Sequence, residues 1–259
     1  MAASHLEVRR YGEGPPLVAL HGFTLTGAQF EPLGTHLGRS ILAPDLPGHG
    51  GTRVAPVDLS TTTAALALWL DGLDPPLPVL GYSMGGRIAL SLALDRPDVV
   101  ERLVVVSAGP GIADSFSRAM RIAEDSELAE RIHRGGMQRF LDEWLSGPVT
   151  STSSVAEAAR LSDRAVREEN SPAGLAAAIS GLGQGAFPYL GDRLDELAMP
   201  LLTISGSRDE RYSEQTEAMA TAAPQGRHVV IEGTGHNVVL EAPGELADIV
   251  NQFLSEANG

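Results

Sequence analysis

Leu77-Pro78-Val79-Leu80-Gly81-Tyr82-Ser83-Met84-Gly85 decides the fold. The apolar run at its start reads as a buried strand. Gly81–Gly85 then has the Gly-x-Ser-x-Gly form of a sharp strand-to-helix turn. A tight, strained backbone leaves no room for side chains beside the serine, so glycines flank it. The turn lifts the Ser83 hydroxyl to the top of a sheet and sets the Met84 N–H beside it. Arg87-Ile88-Ala89-Leu90-Ser91-Leu92-Ala93-Leu94 follows as a good helix. Gly-x-Ser-x-Gly also arises by chance in Gly/Ser-rich loops. A strand before it and a helix after it point to function.

On both sides of this stretch, short apolar runs alternate with helical patterns. That alternation predicts an α/β fold with a mostly parallel central sheet flanked by helices. The strand runs are Pro16–Leu20, Ser40–Ala43, Pro78–Leu80, Arg102–Ser107, Pro200–Ser205 and Arg227–Ile231, with His5–Arg10 as an N-terminal edge strand. Helices are expected over Gly27–Leu37, Ser60–Leu73, Met84–Asp95, Ser213–Ala222 and Pro243–Ser255. Leu66, Trp69, Leu70 and Leu73 recur at helical spacing, which makes Trp69 a core residue. From about Gly111 to Leu197 no strand pattern occurs. Helical patterns fill this stretch: Ser115–Arg134, Met137–Leu145, Val155–Glu169, Ala173–Leu182 and Leu190–Leu197. An insertion at the carboxyl edge of a sheet can lie over a site as a lid. The expected organisation is a core of residues 1–110 and 198–259 with a helical cap of 111–197 inserted before the strand at 200–205, one continuous functional domain.

The 259 residues include no cysteine, which excludes disulfides, a thiol nucleophile and a zinc-thiolate site. That is compatible with a reducing cytoplasm, the expected location. No signal segment is visible at the N-terminus. No apolar run approaches the roughly 20 residues needed to span a bilayer. The net charge of −14 argues against nucleic acid or an anionic membrane as a partner. It also makes any local cluster of arginines informative, because the global field opposes an anionic ligand.

A serine hydroxyl is a poor nucleophile and a poor base until a histidine takes its proton. Two downstream residues complete the order Ser…Asp…His. Asp209 follows a strand in Ser205-Gly206-Ser207-Arg208-Asp209, and His236 sits in the loop Gly233-Thr234-Gly235-His236-Asn237. Asp192 and Asp195 read as solvated residues at the edge of a cap helix, and His133 and His228 as surface residues. The loop Leu20-His21-Gly22-Phe23-Thr24 is placed to supply a second oxyanion donor. The N–H groups of Phe23 and Met84 would then face a developing negative oxygen, worth roughly 3–4 kcal/mol per donor. His49, in the rigid turn Asp45–Gly51, is expected to have a structural role near the site.

His21-Gly22-Phe23, Asp45–Thr52 (DLPGHGGT), Gly81–Leu90 (GYSMGGRIAL), Gly206–Tyr212 (GSRDERY) and Gly233–Leu246 (GTGHNVVLEAPGEL) resemble the α/β-hydrolase superfamily. Within it, the Gly-Gly-Arg after the serine and the Arg208-Asp209-x-Arg211-Tyr212 pattern are similar to one family of menaquinone biosynthesis. These are the 2-succinyl-6-hydroxy-2,4-cyclohexadiene-1-carboxylate synthases. The likeness covers essentially the whole chain. In the cap it extends to Phe140–Pro148, similar to that family's F-x-x-x-W-x-x-x-P segment, and to Arg167 with Asn170, similar to its R-x-x-N segment. Met84 departs from a commoner leucine, and Arg211-Tyr212 from a commoner lysine-phenylalanine.

The resemblance implies a lyase rather than a hydrolase. Such enzymes remove a ring proton from 2-succinyl-5-enolpyruvyl-6-hydroxy-3-cyclohexene-1-carboxylate and expel pyruvate. Ser83, polarised by His236 and Asp209, is then the general base. No metal and no organic cofactor is implied. The partner is a small anionic multi-carboxylate substrate, and the protein a monomer or small homo-oligomer. Arg87, Arg121 and Arg167 are the implied carboxylate-binding residues, because the guanidinium fork binds carboxylate bidentately. Arg118 is an alternative to Arg121, since both precede Asp125. Tyr82, Trp144 and His21 complete the implied substrate-binding set. The alternative is a serine hydrolase, a carboxylesterase or C–C bond hydrolase, using Ser83 as nucleophile.

Overall fold

Strands that are apolar on both faces can be buried only between two layers of helices. The structure, a computed structural model, describes residues 5–147, 150, 152 and 155–256. Its strands are β1 (Val8–Tyr11), β2 (Pro16–Leu20), β3 (Ser40–Pro44), β4 (Leu77–Tyr82), β5 (Val100–Val106), β6 (Leu201–Gly206) and β7 (Gly226–Ile231). They form one sheet in the order β1-β3-β2-β4-β5-β6-β7. All pairings are parallel except that of the edge strand β1 with β3. The helices are α1 (Glu31–Gly34), α2 (Leu59–Asp71), α3 (Met84–Asp95), α4 (Ser115–Leu145), α5 (Glu157–Glu168), α6 (Pro172–Leu182), α7 (Glu210–Ala222), α8 (Val238–Glu241) and α9 (Pro243–Ser255).

The period-two alternation of each strand sorts its side chains between two cores. Val18, Leu20, Val79, Leu103 and Val105 face one side and pack with residues of α2, α3 and α7. Leu17, Ala19, Leu80, Val104 and Val106 face the other side, against α1, α8 and α9. A third cluster lies in the insertion between β5 and β6, where Leu128, Ile132, Phe140 and Leu141 of α4 meet Leu175 and Ile179 of α6. Among the described residues, no helix is long and apolar enough to cross a membrane.

Three elements differ from the sequence expectation. Gly27–Leu37 is not one helix but a 3-10 turn at Gly27–Phe30 followed by the short α1. Gly27 is pressed against β3, its N–H donates to Asp45 Oδ1 at 2.8 Å, and Thr26 caps Ala28, so the chain is held in a tight turn. The two expected helices Ser115–Arg134 and Met137–Leu145 form the single run α4, broken at Gly136 (φ 71°, ψ 168°). Leu190–Leu197 is a 3-10 helix at Gly191–Glu196. Pro148, the last residue of the cap segment singled out above, lies outside the described residues.

His21 requires a correction. It is fully buried and is not among the residues that line the main cavity. Its ring ties the loop after β2 to the loop after β3. Leu46 N–H donates to Nε2 at 2.8 Å, while Nδ1 faces the Gly22 carbonyl at 2.8 Å. The carbonyl can only accept, so Nδ1 carries the hydrogen and the ring is neutral. His49 packs edge-on against it, ring centres 4.9 Å apart. Burial lowers the His21 pKa to about 4 and drives that of His49 well below its usual value.

An unfolded histidine takes up its proton near pH 6.5, but folded His21 resists until about pH 4. The unfolded state therefore binds more protons in this window, and stability falls as pH drops from about 6.5 to about 4. His21 alone contributes about 3 kcal/mol to that fall. Urea unfolding at pH 7.5 and 4.5 should show a large stability loss in the wild type and a smaller one in His21→Gln. Equal losses in the two proteins would refute this assignment.

Candidate active site

β4 runs directly into α3 through Ser83, whose backbone takes the uncommon values φ 52° and ψ −111°. Such a conformation costs of order 1–3 kcal/mol and needs surrounding structure to hold it. The Ser83 N–H donates to the Val106 carbonyl at 2.9 Å, and the Ser83 carbonyl accepts from Arg87 N–H at 3.2 Å. The backbones crowd so closely that a Cβ on Gly81 would meet Gly85 O at 2.3 Å, and one on Gly85 would meet Leu20 O at 2.1 Å.

The structure brings Ser83, His236 and Asp209 together from three separate loops. His236 Nε2 lies 3.0 Å from Ser83 Oγ, and His236 Nδ1 lies 2.6 Å from Asp209 Oδ2. A carboxylate at Nδ1 keeps the hydrogen there and leaves Nε2 free to take the serine proton. The two loops at the ends of β6 and β7 are bonded to each other. Arg208 N–H donates to Thr234 O at 2.9 Å, and Glu241 accepts from both Arg208 Nη2 (2.9 Å) and Gly235 N–H (3.0 Å). The His236 ring lies against the tilted rings of Tyr212 (4.7 Å) and Tyr82 (5.5 Å).

Phe23 and Met84 both line the cavity that opens at Ser83. Met84 begins α3, where N–H groups have no partner within the helix. The loop carrying Phe23 is anchored by Gln29, whose Oε1 accepts from Gly22 N–H at 3.3 Å and whose Nε2 reaches Asn237 beside His236 at 3.5 Å. The sequence reading passed over Gln29. A glutamine a few residues past the loop that carries Phe23 was the available signal.

The cavity has a volume of about 400 Å³ and lies between the sheet's carboxyl edge and the helices α4 and α6. Arg87, Arg121 and Trp144 line it. Arg87 is 6% exposed, and its Nε is buried without a partner. Among the described residues, its guanidinium makes one hydrogen bond, a long one from Nη2 to Leu182 O at 3.4 Å, and lies 5.4 Å over the Phe187 ring. Among the described residues, no carboxylate pairs with it. Burial pushes its pKa below the usual arginine value. A guanidinium held this way lacks its counter-charge. Arg121 is half satisfied: Nε donates to Asp125 Oδ1 at 2.7 Å and Nη1 to Gln184 Oε1 at 2.8 Å. Arg118 instead donates to Gly185 O at 3.1 Å and is not among the lining residues, so Arg121 is the one that faces the cavity. Arg131, Arg211, Gln184 and Tyr212 also line the cavity and were not singled out as binding residues. For Tyr212 the signal was its place three residues beyond Asp209, in the first turn of α7.

Arg167 and Tyr82 are corrected together with His21. Arg167 is 4% exposed and off the cavity. Its fork is filled by Asp163 (Nε to Oδ2, 2.7 Å; Nη2 to Oδ1, 3.0 Å), and Nη1 donates to Thr24 Oγ1. Asn170 adds a bond from Nδ2 to Thr24 O at 2.8 Å and accepts from Gly50 N–H at 2.9 Å. This segment clasps α5 to the loop after β2. Tyr82 is 5% exposed and lies beneath His236, because the strand alternation turns its ring into the second core. Trp144 does line the cavity; its ring lies 5.5 Å from Phe23, and its Nε1 is buried without a partner.

A polarised serine, two candidate oxyanion donors, one unpaired guanidinium and one half-satisfied guanidinium in one cavity can abstract a proton or attack a carbonyl on an anionic molecule. The comparisons narrow the choice. Residues 17–249 match the model of the alpha/beta hydrolase family. A Salmonella heidelberg (strain SL476) 2-succinyl-6-hydroxy-2,4-cyclohexadiene-1-carboxylate synthase is 31% identical over 252 residues, covering 93% of this chain and 94% of that protein. A Bacillus subtilis (strain 168) protein, whose name gives the same synthase only provisionally, is 35% identical over 255 residues, 94% of this chain and 93% of its own. Among solved structures, MenH from S. aureus superposes with a TM-score of 0.89 at 27% identity, covering 95% of this chain and 97% of that one. A thermophilic esterase from Thermogutta terrifontis, malate bound, gives 0.83 at 26% identity, with 96% and 92% covered. The chain belongs to the alpha/beta hydrolase family and, within it, to the 2-succinyl-6-hydroxy-2,4-cyclohexadiene-1-carboxylate synthases.

Proposed function

We propose that this protein is a carbon–oxygen lyase of menaquinone biosynthesis. It eliminates pyruvate from 2-succinyl-5-enolpyruvyl-6-hydroxy-3-cyclohexene-1-carboxylate to give 2-succinyl-6-hydroxy-2,4-cyclohexadiene-1-carboxylate. Arg87 is the observation that carries this reading beyond the triad. It is a buried guanidinium in the cavity with no carboxylate partner, in a chain of net charge −14. An ester-cleaving site for neutral substrates has no use for it. A substrate with several carboxylates supplies the missing charge.

The chemistry follows from comparing substrate and product. A ring hydrogen is lost at the carbon bearing the succinyl group, which lies next to a carbonyl. The enolpyruvyl oxygen is lost across the ring. His236 Nε2, 3.0 Å from Ser83 Oγ, takes the serine proton as the oxygen removes that ring hydrogen. The electron pair of the C–H bond enters the ring, and the negative charge develops on the succinyl carbonyl oxygen. The N–H groups of Phe23 and Met84 are the donors we assign to that oxygen. The ring double bond shifts, the bond to the enolpyruvyl oxygen breaks, and the leaving enolate recovers the proton from His236 before becoming pyruvate. Asp209 stabilises the transient imidazolium. Residues 111–197 act as the cap over a core of 1–110 and 198–259. Arg121 and Trp144 reach down from the cap to the substrate.

The second reading, a serine hydrolase, is favoured by the likeness to the esterase and uses the same three residues with Ser83 as nucleophile. The two part on substrate. The wild type, given the enzymatically generated enolpyruvyl substrate, should release pyruvate far faster than the protein-free control and should cleave a nitrophenyl ester poorly. Ester cleavage without accelerated pyruvate release would make it a hydrolase.

Two variants test the roles. Ser83→Ala should lower pyruvate release by at least roughly 100-fold with an unchanged circular dichroism spectrum. Arg87→Met should lower kcat/KM by about 10- to 100-fold. It should also raise the melting temperature, because an unpaired buried charge is replaced by an apolar chain of similar length. A folded Arg87→Met variant with near-normal kcat/KM would remove the anion pocket from this reading.

A further inference from the structure

The hydroxyl of Tyr212 has a hydrogen whose direction its neighbours decide. Arg121 Nη1 lies 2.8 Å from Gln184 Oε1, and Gln184 Nε2 is hydrogen-bonded to the Tyr212 hydroxyl oxygen. A guanidinium can only donate. The amide of Gln184 must therefore turn Oε1 to Arg121 and Nε2 to Tyr212. An amide NH₂ also only donates, so the Tyr212 oxygen is the acceptor in that bond. Its own hydrogen is left over. Among the described residues, no protein group accepts it.

That hydrogen is in a place where it can act. Tyr212 is 7% exposed and lines the cavity together with Ser83, Arg87, Arg121 and His236. Its ring rests 4.7 Å from His236, which fixes the side chain. A buried hydroxyl with an unused hydrogen, sharing the cavity with one unpaired and one half-satisfied guanidinium, completes a donor set for an anionic oxygen. Polarisation along the chain Arg121–Gln184–Tyr212 strengthens the hydroxyl as a donor, since each bond in a series enhances the next.

We propose that the Tyr212 hydroxyl donates a hydrogen bond to a carboxylate of the bound substrate, alongside Arg87 and Arg121, and is a specificity-determining residue of this site. The proposal rests on the anionic-substrate reading above. It assigns a direct contact to a residue whose ring alone would account for its packing under His236.

The test combines kinetics with binding of a plain dicarboxylate. Pyruvate release is measured for the wild type and Tyr212→Phe, and succinate is titrated into both proteins by isothermal calorimetry. Tyr212→Phe should raise KM about tenfold and weaken succinate by a similar factor, with kcat within about threefold of the wild type. The same comparison is made in a Gln184→Leu background. A direct contact still gives the rise in KM there; a hydroxyl that only props Gln184 gives none, which would overturn the proposal. Unchanged KM and succinate affinity in Tyr212→Phe would overturn it as well. A wild type that binds succinate through Tyr212 but releases no pyruvate would remove the lyase reading and support the contact. A wild type that does neither removes both. Should Tyr212→Phe fail to fold, Gln184→Glu serves instead. Its carboxylate accepts the Tyr212 hydrogen and draws it out of the cavity, so KM rises with the ring intact; an unchanged KM in that variant counts against the proposal.

Discussion

The close approach of β2, β4 and α3 at Ser83 is the constraint on which the site depends. Gly81 and Gly85 lie so near neighbouring backbone that no side chain fits at either position. Ser83 is held between them at φ 52°. The strain is sustained by sheet pairing on both sides of β4 and by the bond from Ser83 N–H to Val106 O. The parallel sheet then does the rest. Because its strands all end on one edge there, the loops after β2, β4, β6 and β7 converge, and they carry Phe23, Ser83, Asp209 and His236 respectively. Residues far apart in the chain thus meet at one edge of the sheet.

The second layer of organisation is electrostatic. The chain is strongly acidic, and many of its arginines pair with nearby carboxylates, as in Arg96 with Asp71 and Asp98 or Arg164 with Asp142 and Glu168. Arg167 shows the same behaviour inside the protein, where Asp163 fills its fork. Arg87 is buried in the cavity wall, and among the described residues no carboxylate pairs with it. In a protein with carboxylates to spare, a buried guanidinium left unpaired lowers stability, and the compensation has to come from a ligand. This separates the anion-binding reading from a mere count of arginines.

Much of this was legible in the sequence. The elbow, the order Ser83–Asp209–His236 and the alternation of strands with helices are local patterns, and local patterns survive in one dimension. The helix at Pro243–Ser255 and the strand at Pro16–Leu20 have the bounds their periodicity predicted. The binding residues were less legible, for a physical reason. Whether an arginine meets a ligand or a carboxylate depends on what packs beside it in space. Arg167 and Arg121 look alike in sequence, each with an aspartate four residues away, on opposite sides. One is closed off by Asp163 and Thr24, and the other keeps part of its fork toward the cavity. His21 fell to the same difficulty: a histidine in a glycine-containing loop can face a ligand or brace a neighbouring loop, and Leu46 N–H makes it a brace.

The clasp that removed Arg167 from the binding set ties the inserted helices to the chemistry in another way. Arg167 and Asn170 hold Thr24, which sits at φ 68° one residue beyond Phe23. Trp144, on the same insertion, packs edge-on against the Phe23 ring. The segment carrying one proposed oxyanion donor is thus bonded to the insertion at two points, while the other donor, Met84, belongs to the rigid start of α3. Any displacement of α4 or α5 relative to the sheet would move the first donor and leave the second in place. Geometry at the proposed oxyanion site is therefore linked to the seating of the insertion, and the same seating determines whether Arg121 and Trp144 face the cavity. Substrate contact and catalytic alignment share one set of supports in this protein.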